Sequence, residues 1–354
     1  MNSWRQLSPA KKSLIIRKPP AHSLGLPAEL WLEVVSYFET VEEPATLPHH
    51  YPFFVLPARY LERPRALRAL CGTCCGLRTL LLPKLWDRLE ACAVDNRDIE
   101  SWYEVIPNVL KRKCVNLAED ESLVKHVRTV NVIFTAFDFD NVIKAFIKCV
   151  QRLPNLRTIQ ILFSDTWSEK FSKVLNSVSL PSVKTVMLPL AGHEMLWACP
   201  EATRVVCRGL PQDILVKSLR ERARKVEVLE IALTGIDVMK ELVDVVPELR
   251  EFIFKNSVHP EAVRMLSAAP KLRTIQIVIC KGDIPTPTDI AQGCIKAAKA
   301  VLRGNTQKSG GKLTDGNSSE KDDNEEGKRK SLRVLTRWVD VGRTGRDEVE
   351  EIPL

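Results

Sequence analysis

Aromatic residues make up only 6% of this 354-residue chain, and it has just six histidines. Nowhere does it gather the roughly 18 to 20 consecutive apolar residues that a membrane-crossing helix needs. The N-terminal Lys11, Lys12, Arg17 and Lys18 flank Leu14-Ile15-Ile16, an apolar stretch too short for a secretory signal. Residues 1–23 therefore read as a flexible basic arm. Catalytic signatures are equally scarce. No glycine-rich phosphate loop, no Gly-x-Ser-x-Gly elbow and no His-Glu-x-x-His pair occurs, and His193-Glu194 lacks a second histidine. These absences argue against an enzyme, so no catalytic residue, cofactor or metal is assigned.

Ten cysteines are scattered through a chain long enough to fold without covalent staples, which suits a reducing compartment, cytoplasmic or nuclear. Cys71-x2-Cys74-Cys75 comes nearest to a zinc half-site, but no second pair follows at finger spacing. Small buried thiols explain it better. The net charge of +8 lies partly in the N-terminal arm and partly in Arg204, Arg208, Lys217, Arg220, Arg222, Arg224 and Lys225. These residues are not interleaved with stacking aromatics, and no finger, helix-turn-helix or basic zipper appears. Solvated positive surface is the better account, and a nucleic-acid partner is not expected. Lys328-Arg329-Lys330 admits a nuclear-import reading.

What is present is organised unevenly. Leu30, Val34, Val35 and Phe38 recur at helical spacing after Gly25-Leu26-Pro27, with Trp31 beside them, so a helix over 27–38 is expected. Pro27 suits its first turn and Glu29 its positive end. Residues 39–64 carry Pro44, Pro48, Pro52, Pro57 and Pro64, which bar one long helix and mark an extended insertion. From Arg65 the stripe Leu67, Leu70, Cys71, Cys74, Leu77, Leu80 and Leu81 gives another helix, which Leu82-Pro83 is expected to end, with a short helix through Leu85-Trp86.

The run Leu26-Pro27-Ala28-Glu29-Leu30-Trp31-Leu32-Glu33-Val34-Val35-Ser36-Tyr37-Phe38, then 67–81, then Leu85-Trp86, resembles an F-box domain; the proline-rich insertion departs from that compact three-helix module. The resemblance implies a docking surface for the Skp1 subunit of a cullin-RING ubiquitin ligase. By position, Leu26, Pro27, Leu30, Val34 and Val35 would supply it, helped by Leu67, Leu70 and Trp86.

Further on, seven segments share the template apolar-x-x-apolar-x-apolar. They begin at Val127, Leu156, Val183, Ala202, Val226, Leu249 and Leu272, spaced 19 to 29 residues apart. That is a solenoid period. Helical stripes lie between them, for example Val142, Ile143, Phe146, Ile147 and Val150, and proline stands two residues before five of the seven starts. Near-identical phrases, Leu156-Arg157-Thr158-Ile159-Gln160-Ile161 and Leu272-Arg273-Thr274-Ile275-Gln276-Ile277, favour an internal repeat over an ordinary parallel α/β domain. These segments, over about 120–285, resemble irregular leucine-rich repeats of a fungal kind, although the usual asparagine after the strand is mostly missing and only Asn256 falls near its place.

The expected fold class is thus α/β: a three-helix F-box-like module (24–90), a helical linker (91–119), and an irregular leucine-rich-repeat-like solenoid with a parallel sheet (120–303), ended by a capping helix over 289–302. Residues 304–331 lack the apolar content to fold and read as disordered. The tail 332–354 is a possible late repeat element, and Leu332, Val334 and Leu335 fit strand and helix equally poorly. Strand alternation would turn Gln160, Met187, Arg204, Val206, Arg208, Glu230, Ile253 and Gln276 outward as a client-binding face. Arg204 and Arg208 would suit an acidic or phosphorylated protein client. Together these readings describe a substrate adaptor of a Skp1-cullin-F-box ligase. The alternative is a structural repeat protein whose helical N-terminus merely caps the solenoid.

Overall fold

The computed structural model describes residues 26–38, 55–164, 173–189, 192–207, 212–222, 225–231, 235–254, 258–282, 287–309, 330–339 and 347–352. The basic arm, the insertion up to residue 54, Arg208, Asn256 and the stretch 310–329 lie outside them. The protein is an α/β fold in which N-terminal helices precede a ten-stranded, mostly parallel sheet alternating with helices in a leucine-rich-repeat-like pattern.

Among the described residues, three α-helices come first: α1 (Ala28–Ser36), α2 (Glu62–Thr73) and α3 (Cys75–Trp86). α1 follows Pro27 and carries Glu29 in its first turn, where the helix dipole favours negative charge. The break between α2 and α3 falls at Cys74, whose backbone is extended and whose Sγ accepts a hydrogen bond from the Leu77 N–H at 3.4 Å. The expected break at Leu82-Pro83 is absent, since Pro83 sits inside α3. Proline deprives the Thr79 carbonyl of its donor, but Thr79 is exposed and water can take that place. Val35, Leu67, Leu77 and Leu81 form a small core of their own between these helices.

The strands run in sequence order across the sheet: β1 (Arg88–Ala91), β2 (Thr129–Phe134), β3 (Thr158–Ser164), β4 (Thr185–Leu188), β5 (Arg204–Cys207), β6 (Val228–Ile231), β7 (Glu251–Phe254), β8 (Thr274–Gly282), β9 (Ser331–Val339) and β10 (Asp347–Ile352). All neighbours are parallel except β9 and β10. Every template residue of the seven repeats lies in one core and is at most 2% exposed. Two layers explain this. The last two template positions are strand residues in register, as in Val130, Ile159, Val186, Val205, Leu229, Phe252 and Ile275, and the first position closes the turn before the strand. Helices such as Phe139–Val150 and Ile236–Val245 bury their apolar faces in the same core.

The recurrent prolines do a specific job. Pro154, Pro181, Pro200, Pro247 and Pro270 each take the second position of a four-residue turn closed by a backbone bond, such as Ala202 N–H to the Cys199 carbonyl at 3.1 Å and Leu249 N–H to the Val246 carbonyl at 3.1 Å. Proline's fixed φ is preset for that position. Just beyond, a backbone ladder joins the repeats. The carbonyls of Asp87, Arg128, Arg157, Lys184, Thr203, Glu227 and Arg250 each accept two successive N–H groups from the next repeat.

That ladder begins at Asp87, so the sheet starts earlier than the seven templates suggest. Trp86, Leu89 and Ala91 form an eighth template, and β1 falls at the end of the span read as the helical module. Helix α4 (Trp102–Glu119) then buries Leu110, Cys114 and Leu117 in the main core. At the other end, Thr288–Ser309 extends past residue 304, so the acidic stretch was expected to begin too early. That helix does not close the sheet either. It crosses over to β9, which buries Leu332 and Val334, and the antiparallel β10 forms the edge. Glu348, Glu350 and Glu351 on β10 put charge along that edge, which discourages pairing with another chain.

Candidate functional site

Helix α1 divides its apolar residues between two faces. Val35 is 3% exposed in the module core, whereas Leu26, Leu30, Val34 and Tyr37 are 47%, 48%, 45% and 79% exposed. Leu30 and Val34, four residues apart within α1, share one side of the helix, while Leu26 lies just before it and Tyr37 at its C-cap. Pro27 is exposed beside them and Leu70 is half-buried. Of the other residues expected on this surface, Leu67 is core. Trp86 leans on the core beneath the sheet as the first template residue of β1. The structure thus brings Leu26, Pro27, Leu30 and Val34 together at the surface, and places Val35, Leu67 and Trp86 in packing positions.

The sheet face opposite the helices differs from expectation. One register row runs Glu90, Asn131, Gln160, Met187, Val206, Glu230, Ile253, Gln276 and Arg333. It contains six of the anticipated outward residues, Gln160, Met187, Val206, Glu230, Ile253 and Gln276, with Arg204 one row away and Arg208 outside the described residues; the six share the face expected of them but not the expected exposure. Gln160 (2%), Met187 (3%), Val206 (0%), Glu230 (3%) and Ile253 (6%) are buried within the single chain, and Gln276 is half-buried. The reason is legible in the strands themselves: Val-Met-Leu and Val-Val-Cys are nearly continuous apolar runs, as befits a parallel sheet covered on both sides. At β2 and β3 the covering is visible. Val55, Leu56, Val94, Ile106 and Ile133 make a second core, against which Leu162, Phe163 and Trp102 pack.

No protein-family model matches this chain, and no curated protein is found to match it.

The row one step toward the strand starts is more accessible. Thr129, Thr158, Thr185, Arg204, Glu251 and Thr274 are half-buried there. Arg204 is not a free anion receptor, because its Nη2 lies 3.2 Å from Glu230 Oε2. One step further, the turn before each strand presents Arg128, Arg157, Lys184 and Arg250, all exposed, with Arg273 half-buried. Partial neutralisation comes from Asp87 at 3.8 Å from Arg128, Glu201 at 3.9 Å from Lys184 and Glu227 at 3.6 Å from Arg250. This basic rim escaped sequence reading because its members are more than twenty residues apart. Its signal is the residue after the template start, basic in five of the seven segments and replaced by Thr203 and Glu227 in the other two.

A cavity of about 440 Å³ lies where α2, the end of α3, β1 and α4 meet. Leu67, Leu89 and Ile106 form its apolar lining, and basic side chains from three elements stand around it. Lys113 Nζ donates to the Glu90 carbonyl at 2.5 Å, and Arg65 pairs with Asp95 at 2.6 Å. Burial and then the neighbouring Arg68 hold the Lys113 ammonium below its usual range. Burial likewise lowers Arg63, helped by Arg88, and Arg68, helped by Arg65 and Arg112. Glu90 is shifted upward by burial, against the pull of Arg88 and Lys113.

Elsewhere, His193 Nε2 lies 3.2 Å from Cys207 Sγ. Both are sealed, at 1% exposed each, so the pair has no access to a substrate. Among the described residues, no three histidine, cysteine or acidic side chains cluster to hold a metal ion, and no helix is long and apolar enough to cross a membrane.

Proposed function

We propose that the chain is a substrate-recognition adaptor of a Skp1-cullin-F-box ubiquitin ligase, docking Skp1 through α1 and a protein client through the repeat region, in the cytoplasm or nucleus. The supporting observation is the exposure of Leu30 and Val34 on α1, and of Leu26 and Tyr37 at its two ends, on a helix whose Val35 already packs into a core of its own. A stable helical module has no folding reason to keep three aliphatic side chains and a tyrosine facing solvent, whereas a protein interface uses such anchors. That this surface carries the same Leu-Pro-x-x-Leu segment that resembles an F-box adds to the case. For the client, the basic rim of Arg128, Arg157, Lys184 and Arg250 favours an acidic or phosphorylated segment. In this reading the rim acts in place of Arg204, which Glu230 holds; Arg208 lies outside the described residues.

One observation favours the second reading, a repeat protein with a helical cap: α3 runs into β1, and Trp86 packs on the core beneath the sheet. Co-expression of the full chain with Skp1 separates the two. The adaptor reading expects a stoichiometric complex in gel filtration. Separate elution at micromolar concentrations would leave only the cap.

A further inference from the structure

We infer that the cavity between α2, β1 and α4 is a binding site for a small polyanion, a molecule bearing two or more phosphate groups. Six basic side chains line it, Arg63, Arg65, Arg68, Arg88, Arg112 and Lys113, against three acids, Glu90, Asp95 and Asp98, an excess of three positive charges (six less three). Asp95 is committed to Arg65. The volume of about 440 Å³ falls within the range of roughly 300 to 1,000 Å³ typical of ligand pockets. Its wall combines apolar residues with charged ones, as ligand sites do.

Like charges gathered in a partly desolvated concavity oppose one another, although Glu90 and Asp87 draw Arg63 the other way. Arg63 is pressed by Arg88, Arg68 by Arg65 and Arg112, and Lys113 by Arg68 and Arg112, so the repulsion links all three elements. A bound polyanion relieves it. Guanidinium groups favour phosphate because their planar fork donates two parallel hydrogen bonds, and several arginines lining one cavity favour several phosphates over one. The site is independent of the α1 stripe and of the adaptor reading. Because its walls come from α2 of the helical module and from β1 and α4 of the repeat region, the ligand would tie the two together.

The test is calorimetric titration of the full chain with tripolyphosphate, with inorganic phosphate as the monovalent-group control, at fixed ionic strength. Saturable one-to-one binding at least tenfold tighter than inorganic phosphate is expected. In the double variant Arg68→Gln/Arg112→Gln, affinity should fall at least tenfold. Arg68 and Arg112 are exposed, so this variant should fold, and loss of repulsion should raise the thermal midpoint of the ligand-free protein. Absence of saturable binding, or undiminished affinity in the variant, would overturn the site. A lowered ligand-free midpoint would also overturn it, by showing that the cations are structural.

Discussion

Arg204 on β5 reaches diagonally across to Glu230 on β6, with Nη2 3.2 Å from Oε2, and thereby neutralises a carboxylate whose side chain is only 4% exposed. The strand register pairs Glu230 with Val206 and Arg204 with Val228, so the two side chains meet along the diagonal of the face opposite the helices. Removing the arginine leaves a buried charge without its partner, and that is costly.

Arg204→Ala is therefore expected to destabilise the fold by about 2 kcal/mol. Adding Glu230→Gln should restore part of the loss, because a neutral amide tolerates burial better than a carboxylate that has lost its cation. Urea unfolding of both single variants and the double variant checks this. Strictly additive effects would mean that the pair does not couple.

A second expectation concerns pH. Burial pushes His193 down to about 4, against about 6.5 for an unfolded histidine. Between those values the unfolded chain binds the extra proton, so the contribution of neutral His193 is complete above about pH 6.5 and is lost as pH falls toward 4, by about 3 kcal/mol in all. His193→Gln should flatten that part of the stability profile when urea midpoints are taken from pH 4.5 to 7.5. An unchanged slope would place the acid sensitivity elsewhere.

Much of the fold is written in short-range pattern, and the template shows why. Three apolar residues at fixed spacing, a turn proline before them and a helical stripe after them are local signals, and all seven segments took the positions they implied. β1 was harder to see because Trp86 also completes a helical stripe and Ala91 is a weak apolar signal. β9 was ambiguous because Leu332, Val334 and Leu335 are all buried, on both faces of the strand, which removes the alternation. The candidate surfaces were less legible still. Alternation says which side of a sheet a residue takes, but only three-dimensional closure decides whether that side meets water, and so Met187 and Val206 were assigned a role their burial does not allow as exposed anchors. The cationic cavity draws on residues from 63 to 113, and no single stretch announces it.

Gly293 in the helix Thr288–Ser309 offers a local test of the packing. A Cβ added there would come within 2.8 Å of Pro260 Cγ, part of a rigid ring at the start of the neighbouring helix. Alanine normally gains about 1 kcal/mol over glycine inside a helix. Here Gly293→Ala should instead lower the thermal midpoint, since overpacking outweighs propensity by about 1 kcal/mol. A raised midpoint would show that the two helices can separate freely.

The central claim is that the outer stripe of α1 is a docking surface rather than spare hydrophobic surface. Because Leu30 and Val34 are 48% and 45% exposed, Leu30→Glu/Val34→Glu should leave circular dichroism and the thermal midpoint close to those of the unaltered chain. Val35→Glu, by contrast, places a charge in the module core and should unfold it. The direct measurement is the affinity of purified Skp1 for the full chain and for the Leu30→Glu/Val34→Glu variant, by calorimetry at equal concentrations. At least a hundredfold loss in a variant that remains folded is the predicted result; equal affinity for the two proteins would contradict the account.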